Sequence, residues 1–146
     1  MTHTFTTTRR VEFSETDMAG IVHFSNFFRF MEATEHAFFR SLGIKLHEDR
    51  AEGMRGWARV NATCDYHRPA RYEDLLEITL RVVEKNAKSL RYTFTFALAA
   101  ESGGAEGPPI AEGALTVVHV AKDPTAARMR AADMPAEVAE KITVAP

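Results

Sequence analysis

The 146-residue sequence has only one cysteine, Cys64, and almost no excess of charge of either sign. A single cysteine cannot form an intrachain disulfide, which excludes a disulfide-stabilised scaffold. Eighteen Lys and Arg residues against twenty Asp and Glu residues leave a formal net charge of −2. Such a charge provides no field for holding a phosphate backbone, so we expect no nucleic-acid partner.

Long apolar runs are also missing. No segment approaches the roughly 18 apolar residues that a membrane-spanning helix requires. The polar start MTHTFTTTRR contains no apolar stretch of the signal-peptide type. We therefore expect a cytoplasmic protein with no membrane partner. The histidines show no short metal-ligand spacing with Cys64 or with one another, so no metal site is predicted.

What the sequence does contain is the composition of an ordinary folded domain. Hydrophobic residues make up 45% of the chain and charged residues 26%, which is close to the globular averages. The glycine- and proline-containing stretches at 103–109 and 122–125 do not separate segments large enough to be domains, so both are predicted to be loops. We expect one domain spanning residues 1–146.

The segment 27–42 predicts an amphipathic helix. Its apolar residues recur at helical spacing along one stripe, which is expected to face a core. Ser25 or Asn26 is suited to the N-cap position, and Gly43 lies where a left-handed residue would end the helix. Phe28 and Phe39 lie at the edge of the polar face, which indicates an intermolecular contact.

Most of the remaining chain has the period-two alternation of half-buried strands. The predicted strands are 6–13, 57–66, 76–82, 90–98 and 115–120, and a short terminal helix is predicted at 135–142. One long helix among five strands is too few for parallel crossovers. The pattern therefore predicts an α+β fold in which an antiparallel sheet packs on the helix.

The segment between the first strand and the helix has the most informative composition. Asp17 lies in this turn with Gly20 three residues later, and the helix start near Phe24 leaves backbone N–H groups unpaired. Acyl transfer needs a base or nucleophile together with donors for the developing oxyanion. An acidic residue in such a turn is also a common cap or turn former, so the pattern alone leaves both roles open.

The run ETDMAGIVHFSNFFRFMEA resembles the signature of the 4-hydroxybenzoyl-CoA thioesterase family of hotdog-fold proteins. The run CDYHRPARYED at 64–74 is similar to the family's second strand and the following turn. Lys88-Ser89 matches the place where many members carry a basic residue followed by serine. The chain differs from many relatives in having Glu15 in place of Asp. It also has His23-Phe24 where one branch has Tyr-His.

The resemblance implies a hotdog fold, with a five-stranded antiparallel sheet wrapped around one long central helix. It also implies at least a homodimer, expected to be a dimer or tetramer, and hydrolysis of an acyl-CoA with no cofactor beyond the CoA of the substrate. Asp17 matches the family's catalytic carboxylate, as either nucleophile or general base. Phe24 falls where a backbone N–H polarises the thioester carbonyl.

Other residues are candidates for substrate binding. Gly20 and His23 lie at the turn, although His23 is also explained as a polar residue at its mouth. Lys85, Lys88 and Arg91 form a basic cluster at a predicted hairpin, which is either a solvated turn or an anchor for the CoA phosphates. Ser89 is a further binding candidate in this hairpin.

Arg68 and Arg71 form a second basic patch of the same type. Glu32 and Glu35 on the helix are alternative bases, although a solvated or interface salt bridge also explains each of them. A protein that binds an acyl-CoA or acyl carrier without cleaving it is the alternative function.

Overall fold

The computed structural model describes residues 2–146, which form a seven-stranded antiparallel sheet and two α-helices. The elements are β1 (Thr4–Arg10), α1 (Asn26–Ser41), β2 (Glu48–Arg50), β3 (Gly53–Tyr66), β4 (Leu75–Lys85), β5 (Ser89–Leu98), β6 (Ala111–Lys122), β7 (Arg130–Ala131) and α2 (Ala136–Lys141). The strand order is β1-β4-β5-β6-β3-β2, and β7 pairs with β6. The predicted α+β class with an antiparallel sheet is confirmed. None of the helices in residues 2–146 is long and apolar enough to cross a membrane.

The core lies between α1 and one face of the sheet. On β4 and β5 every second side chain is buried, in register across the pair, as in Leu80 opposite Phe94. The helix contributes Phe30, Met31 and Phe38, each with at most 1% of its surface exposed. Burying one such side chain stabilises the fold by about 1.5–3 kcal/mol, so this face fixes the helix on the sheet.

Helix α1 ends as its sequence predicts. Gly43 adopts a left-handed φ of 71°, which glycine tolerates without steric cost. The N–H of Gly43 donates to the Arg40 carbonyl at 3.0 Å, and the N–H of Ile44 donates to the Phe39 carbonyl at 2.9 Å. These bonds satisfy carbonyls that the last turn would otherwise leave unpaired.

The expected count of five strands is wrong for a physical reason. Strand β2 is the charged tripeptide EDR, and β7 is two residues long, so neither has an apolar alternation. Both form by main-chain pairing: β2 pairs with β3 across the turn at 51–52, and β7 pairs with the end of β6. The first strand ends at Arg10 and not at residue 13 as predicted, because residues 13–15 form a 3₁₀ turn.

The expected exposure of two aromatic residues on α1 is also corrected. Phe39 is fully buried, and its ring packs edge-on against Trp57 with 5.8 Å between centroids. Phe28 is half-buried and packs against the core. Because strand β3 covers this edge of the helix, these rings stabilise the chain itself and carry no argument for an intermolecular contact.

Candidate active site

Glu15 fixes the loop that joins β1 to α1. Its side chain is nearly buried, forms an ion pair with Arg9, and accepts the N–H of Glu12 at 2.8 Å. Its carbonyl accepts the N–H of His23 at 2.9 Å and the side-chain amide of Asn26 at 2.8 Å. One residue thus holds both ends of the loop, which gives the intervening turn a defined position beside the helix.

Asp17 occupies a tight turn within this loop. Its Oδ1 accepts the N–H groups of Ala19 at 2.9 Å and Ile21 at 3.4 Å. The N–H of Gly20 donates to the Asp17 carbonyl at 2.9 Å, and Gly20 has the positive φ of 79° that the turn requires. Oδ2 accepts no hydrogen bond from residues 2–146. One carboxylate oxygen therefore holds the turn, and the other is available for chemistry.

A cavity of about 700 Å³ opens beside Asp17, and we call it the Asp17 cavity. Ile21, Phe24 and Phe27 form an apolar wall, and the segment 66–71 after β3 forms the opposite side. Among the described residues that line it, Asp17 is the only carboxylate. A mostly apolar cavity of this size with few polar groups is typical of a small-molecule site.

The start of α1 offers one unused donor at this cavity. The N–H of Asn26 donates to the His23 carbonyl at 2.9 Å, and that of Phe27 to the Phe24 carbonyl at 3.3 Å. The N–H of Ser25 donates to Nδ1 of His23, whose ring also bonds the Ser25 hydroxyl, so that hydroxyl does not cap the helix. The N–H of Phe24 donates to no acceptor within residues 2–146.

Tyr66 positions the backbone of Phe24. Its hydroxyl donates to the Phe24 carbonyl at 3.1 Å, and its ring packs edge-on against Phe27 at 5.4 Å. Our sequence reasoning assigned Tyr66 only to a strand, because nothing in the alternation shows that its hydroxyl reaches the helix start. Burial raises the pKa of the neighbouring Cys64 thiol to about 11, which disfavours the reactive thiolate at neutral pH.

The two candidate binding residues of the turn lie outside the Asp17 cavity. Gly20 lines an adjoining cavity that Asp17, Met18 and Tyr72 also line. The ring of His23 stacks on that of Phe24, with 4.6 Å between centroids, and is exposed. The turn therefore brings Gly20 next to Asp17, whereas His23 lies on the outside of the helix start.

The basic hairpin lies at the far end of the sheet. Ser89 begins β5 and Phe96 lies near its end, in contact with Phe27, so seven residues or roughly 23 Å of strand separate the two positions. Lys88 is exposed and pairs with Asp133 at 3.3 Å, and Arg91 is half-buried. Within one chain the structure does not bring this hairpin to Asp17.

The acidic residues of the helix are engaged elsewhere. Glu35 is fully buried and forms an ion pair with Arg59, and Glu32 lies 3.5 Å from the same guanidinium. Burial outweighs the attraction of Arg59 and raises the pKa of Glu35 to about 7. Neither carboxylate lines the Asp17 cavity.

Comparison with known proteins places the chain in a family. A model of the thioesterase-like superfamily matches residues 11–142. The chain belongs to this superfamily. A protein of Aquifex aeolicus (strain VF5) named as a candidate esterase is 42% identical over 88 residues, which cover 60% of this chain and 65% of that protein.

The 4-hydroxybenzoyl-CoA thioesterase of Pseudomonas sp. (strain CBS-3) is 30% identical over 91 residues, covering 61% of this chain and 64% of the enzyme. The matches thus span slightly less than two thirds of these relatives. They confirm the resemblance to the 4-hydroxybenzoyl-CoA thioesterase family.

Solved structures of CoA thioesterases share the fold. The 1,4-dihydroxy-2-naphthoyl-CoA thioesterase of Synechocystis superposes with a TM-score of 0.79 at 22% identity, covering 94% of each chain. The 4-hydroxybenzoyl-CoA thioesterase of Pseudomonas sp. strain CBS-3 gives 0.77 at 23% identity, covering 95% of this chain and 99% of the enzyme. The expected hotdog-like fold is confirmed.

Proposed function

We propose that this protein hydrolyses an acyl-CoA thioester to a free carboxylic acid and CoA. The observation that carries the proposal is that Asp17, the one carboxylate among the described lining residues, shares its cavity with Phe24, whose N–H is unused in residues 2–146. A thioesterase needs a carboxylate at the carbonyl carbon and a donor at the carbonyl oxygen. The relatives named as CoA thioesterases support this choice of reaction.

Two chemical routes are compatible with the free Oδ2 of Asp17. In one, Oδ2 attacks the carbonyl carbon, the C–S bond breaks, and CoA leaves as a thiolate, giving an acyl-enzyme anhydride that water then hydrolyses. In the other, Asp17 takes a proton from the water that attacks the same carbon, the C–S bond then breaks, and the departing CoA thiolate takes up that proton. In both routes the N–H of Phe24 stabilises the negative oxygen of the tetrahedral intermediate.

The remaining sequence candidates extend the proposal to substrate binding. Gly20 shapes the turn that holds Asp17, and the exposed His23 contacts the part of the substrate that extends outside the cavity. Lys88, Ser89 and Arg91 bind the phosphates of CoA. Because the hairpin is remote from Asp17 in one chain, we propose that it acts in a homodimer or homotetramer, where a second copy brings it to the site.

The test is release of free thiol from a panel of acyl-CoA substrates, followed with a thiol-reactive dye. The panel contains short aliphatic, long aliphatic and aromatic acyl groups, because the cavity walls are largely apolar. We expect enzyme-dependent release from at least one of them. Micromolar binding of an acyl-CoA with no release from any of them would contradict the proposal and favour a binding protein.

A further inference from the structure

Arg68 has no partner for its charge in the described chain. Its Nε and Nη2 atoms are buried and have no hydrogen-bond partner in residues 2–146. The guanidinium takes part in no ion pair there, and Arg68 lines the Asp17 cavity. Two other arginines that contact the core have carboxylate partners, since Arg9 pairs with Glu15 and Arg59 pairs with Glu35.

An unpaired guanidinium in such a position is costly. Arginine remains protonated at any pH that proteins tolerate, so it cannot relieve the cost by losing a proton. Taking part of a charged group out of water without a counter-ion or an acceptor costs desolvation free energy. The fold tolerates this cost at Arg68, which indicates that an anion from outside the described chain completes the site.

The backbone holds Arg68 in a fixed place. The N–H groups of His67 and Arg68 both donate to the Ile110 carbonyl, at 2.8 and 3.1 Å. Two residues later, the carbonyl of the buried Ala70 accepts the N–H of Val22 at 2.8 Å, which links this segment to the Asp17 loop. The backbone from which the Arg68 side chain extends is therefore fixed relative to the Asp17 loop.

Resting on the function proposed above, we propose that Arg68 binds an anionic oxygen group of the thioester substrate inside the Asp17 cavity. The shared chemistry is a carboxylate or a phosphate, which the planar guanidinium can hold through two parallel hydrogen bonds. The group comes either from the acyl chain, as a carboxylate, or from CoA, as a phosphate. The exposed Arg71 lies at the rim of the same cavity and has no such buried nitrogens.

The test compares four thioesters: the best neutral acyl group of the panel and its carboxylated counterpart, each attached to CoA and to N-acetylcysteamine, which has no phosphate. The enzymes are the parent, Arg68→Met, and Arg128→Met as a control at an exposed arginine outside the cavity. We expect Arg68→Met to lower kcat/KM about tenfold or more only for substrates carrying the bound anion. The neutral N-acetylcysteamine ester should be unaffected.

The pattern of loss identifies the source of the anion. If kcat/KM falls for the carboxylated acyl group on both CoA and N-acetylcysteamine, an acyl carboxylate binds at Arg68. If kcat/KM falls for both CoA esters, whatever the acyl group, a CoA phosphate binds there. An equal fall in kcat/KM for all four substrates, or no fall for any of them, overturns the proposal. A melting temperature of Arg68→Met well below the parent value would also overturn it, because removing an unpaired charge should not destabilise the fold.

Failure of this inference can be distinguished from failure of the proposed function. If the parent protein cleaves no thioester, the proposed function fails, and the Arg68 proposal is then tested by calorimetric titration with CoA and with the carboxylated acid. Weaker binding of either ligand to Arg68→Met than to the parent supports the anion site. Unchanged binding of both ligands overturns it.

Discussion

The two carboxylate oxygens of Asp17 have different roles, one in holding the turn and one in the proposed chemistry. Oδ1 holds the turn through the N–H groups of Ala19 and Ile21, and Oδ2 is free of hydrogen bonds from the described residues. A change that keeps the first role and removes the second therefore separates folding from catalysis. Asparagine does so, because its amide oxygen replaces Oδ1 as an acceptor and its amide nitrogen is neither a nucleophile nor a base.

We expect Asp17→Asn to lower kcat by on the order of 10²-fold or more, since it removes the nucleophile or base. The melting temperature and the affinity for acyl-CoA should change little, because the turn keeps its hydrogen bonds. Steady-state kinetics by thiol release and a thermal melt measure these quantities. The matched control is Glu32→Gln, which makes the same kind of change on an exposed carboxylate outside the cavity.

A different result would relocate the chemistry. If Asp17→Asn turned over within about threefold of the parent while Glu32→Gln or Glu35→Gln was inactive, the working carboxylate would be on the helix. Asp17 would then be a turn former only, a role in which Asn serves as well as Asp.

Glu35 should make stability depend on pH. Burial raises its folded-state pKa from an ordinary value of 4.5 to about 7, against the opposing effects of Arg59 and Tyr92. Between these two values the folded protein holds a proton that the unfolded chain releases. The contribution of Glu35 to stability is therefore complete below about pH 4.5 and is lost as the pH rises toward 7.

We expect Glu35→Gln to remove this part of the pH dependence, because glutamine does not titrate. Thermal melts from pH 4.5 to 7.5 should show a decline in melting temperature for the parent that is smaller by a few degrees in the variant. The control is Glu32→Gln, which leaves the buried carboxylate in place. Parallel pH profiles for the parent and Glu35→Gln would show that Glu35 is ionised throughout, held by Arg59.

At the scale of elements, the hairpin between β4 and β5 carries the proposed anchor for CoA. Changing both Lys88 and Arg91 to alanine should raise KM for acyl-CoA about tenfold or more, since two cations facing phosphates are lost. The KM for a thioester of N-acetylcysteamine should change much less. An equal effect on both substrates would show that the hairpin has only a structural role.

The sequence predicts those elements in which buried residues recur at a regular spacing. The predicted bounds of α1 are within one residue of the observed ones at each end, and the predicted ranges of β3 to β6 stop up to four residues inside the observed ends. Strands β2 and β7 were missed because they are short and form by main-chain pairing with no alternation of apolar side chains. Phe39 was placed on an exposed edge because helical periodicity does not show which strand covers the helix.

The candidate site was predictable only where one loop carries it. Asp17, Gly20 and Phe24 are close in sequence, so a turn before a helix indicates their proximity. Tyr66, at the end of β3, and the segment with Arg68 line the same cavity although they are far from Asp17 in sequence. The pairing of β3 with β6 positions them there. The unpaired state of Arg68 depends on every neighbour it has in the fold, so no sequence motif shows it.

At the scale of the whole molecule, two surfaces of the chain are unusual for a monomer. Large apolar side chains are exposed around the Asp17 loop, namely Phe13 (76%), Met18 (107%), Phe24 (61%) and Tyr72 (52%). Beyond Gly56, β3 pairs within the described chain only with β6, which leaves one edge open. Open strand edges and clustered apolar surface are features that association between copies would cover.

We expect light scattering at micromolar concentration to give the mass of a dimer or tetramer.

Val60 lies on the open edge of β3, at a break in its register with β6, and is 59% exposed. Val60→Lys should therefore weaken association by placing a charge there. Val144→Lys is the control, because Val144 is 41% exposed but lies outside the sheet. If the basic hairpin acts from a second copy, dissociation should also raise KM for acyl-CoA. A fully active parent enzyme of 16.3 kDa in solution would exclude a shared site, and the hairpin would then have to reach CoA within one chain.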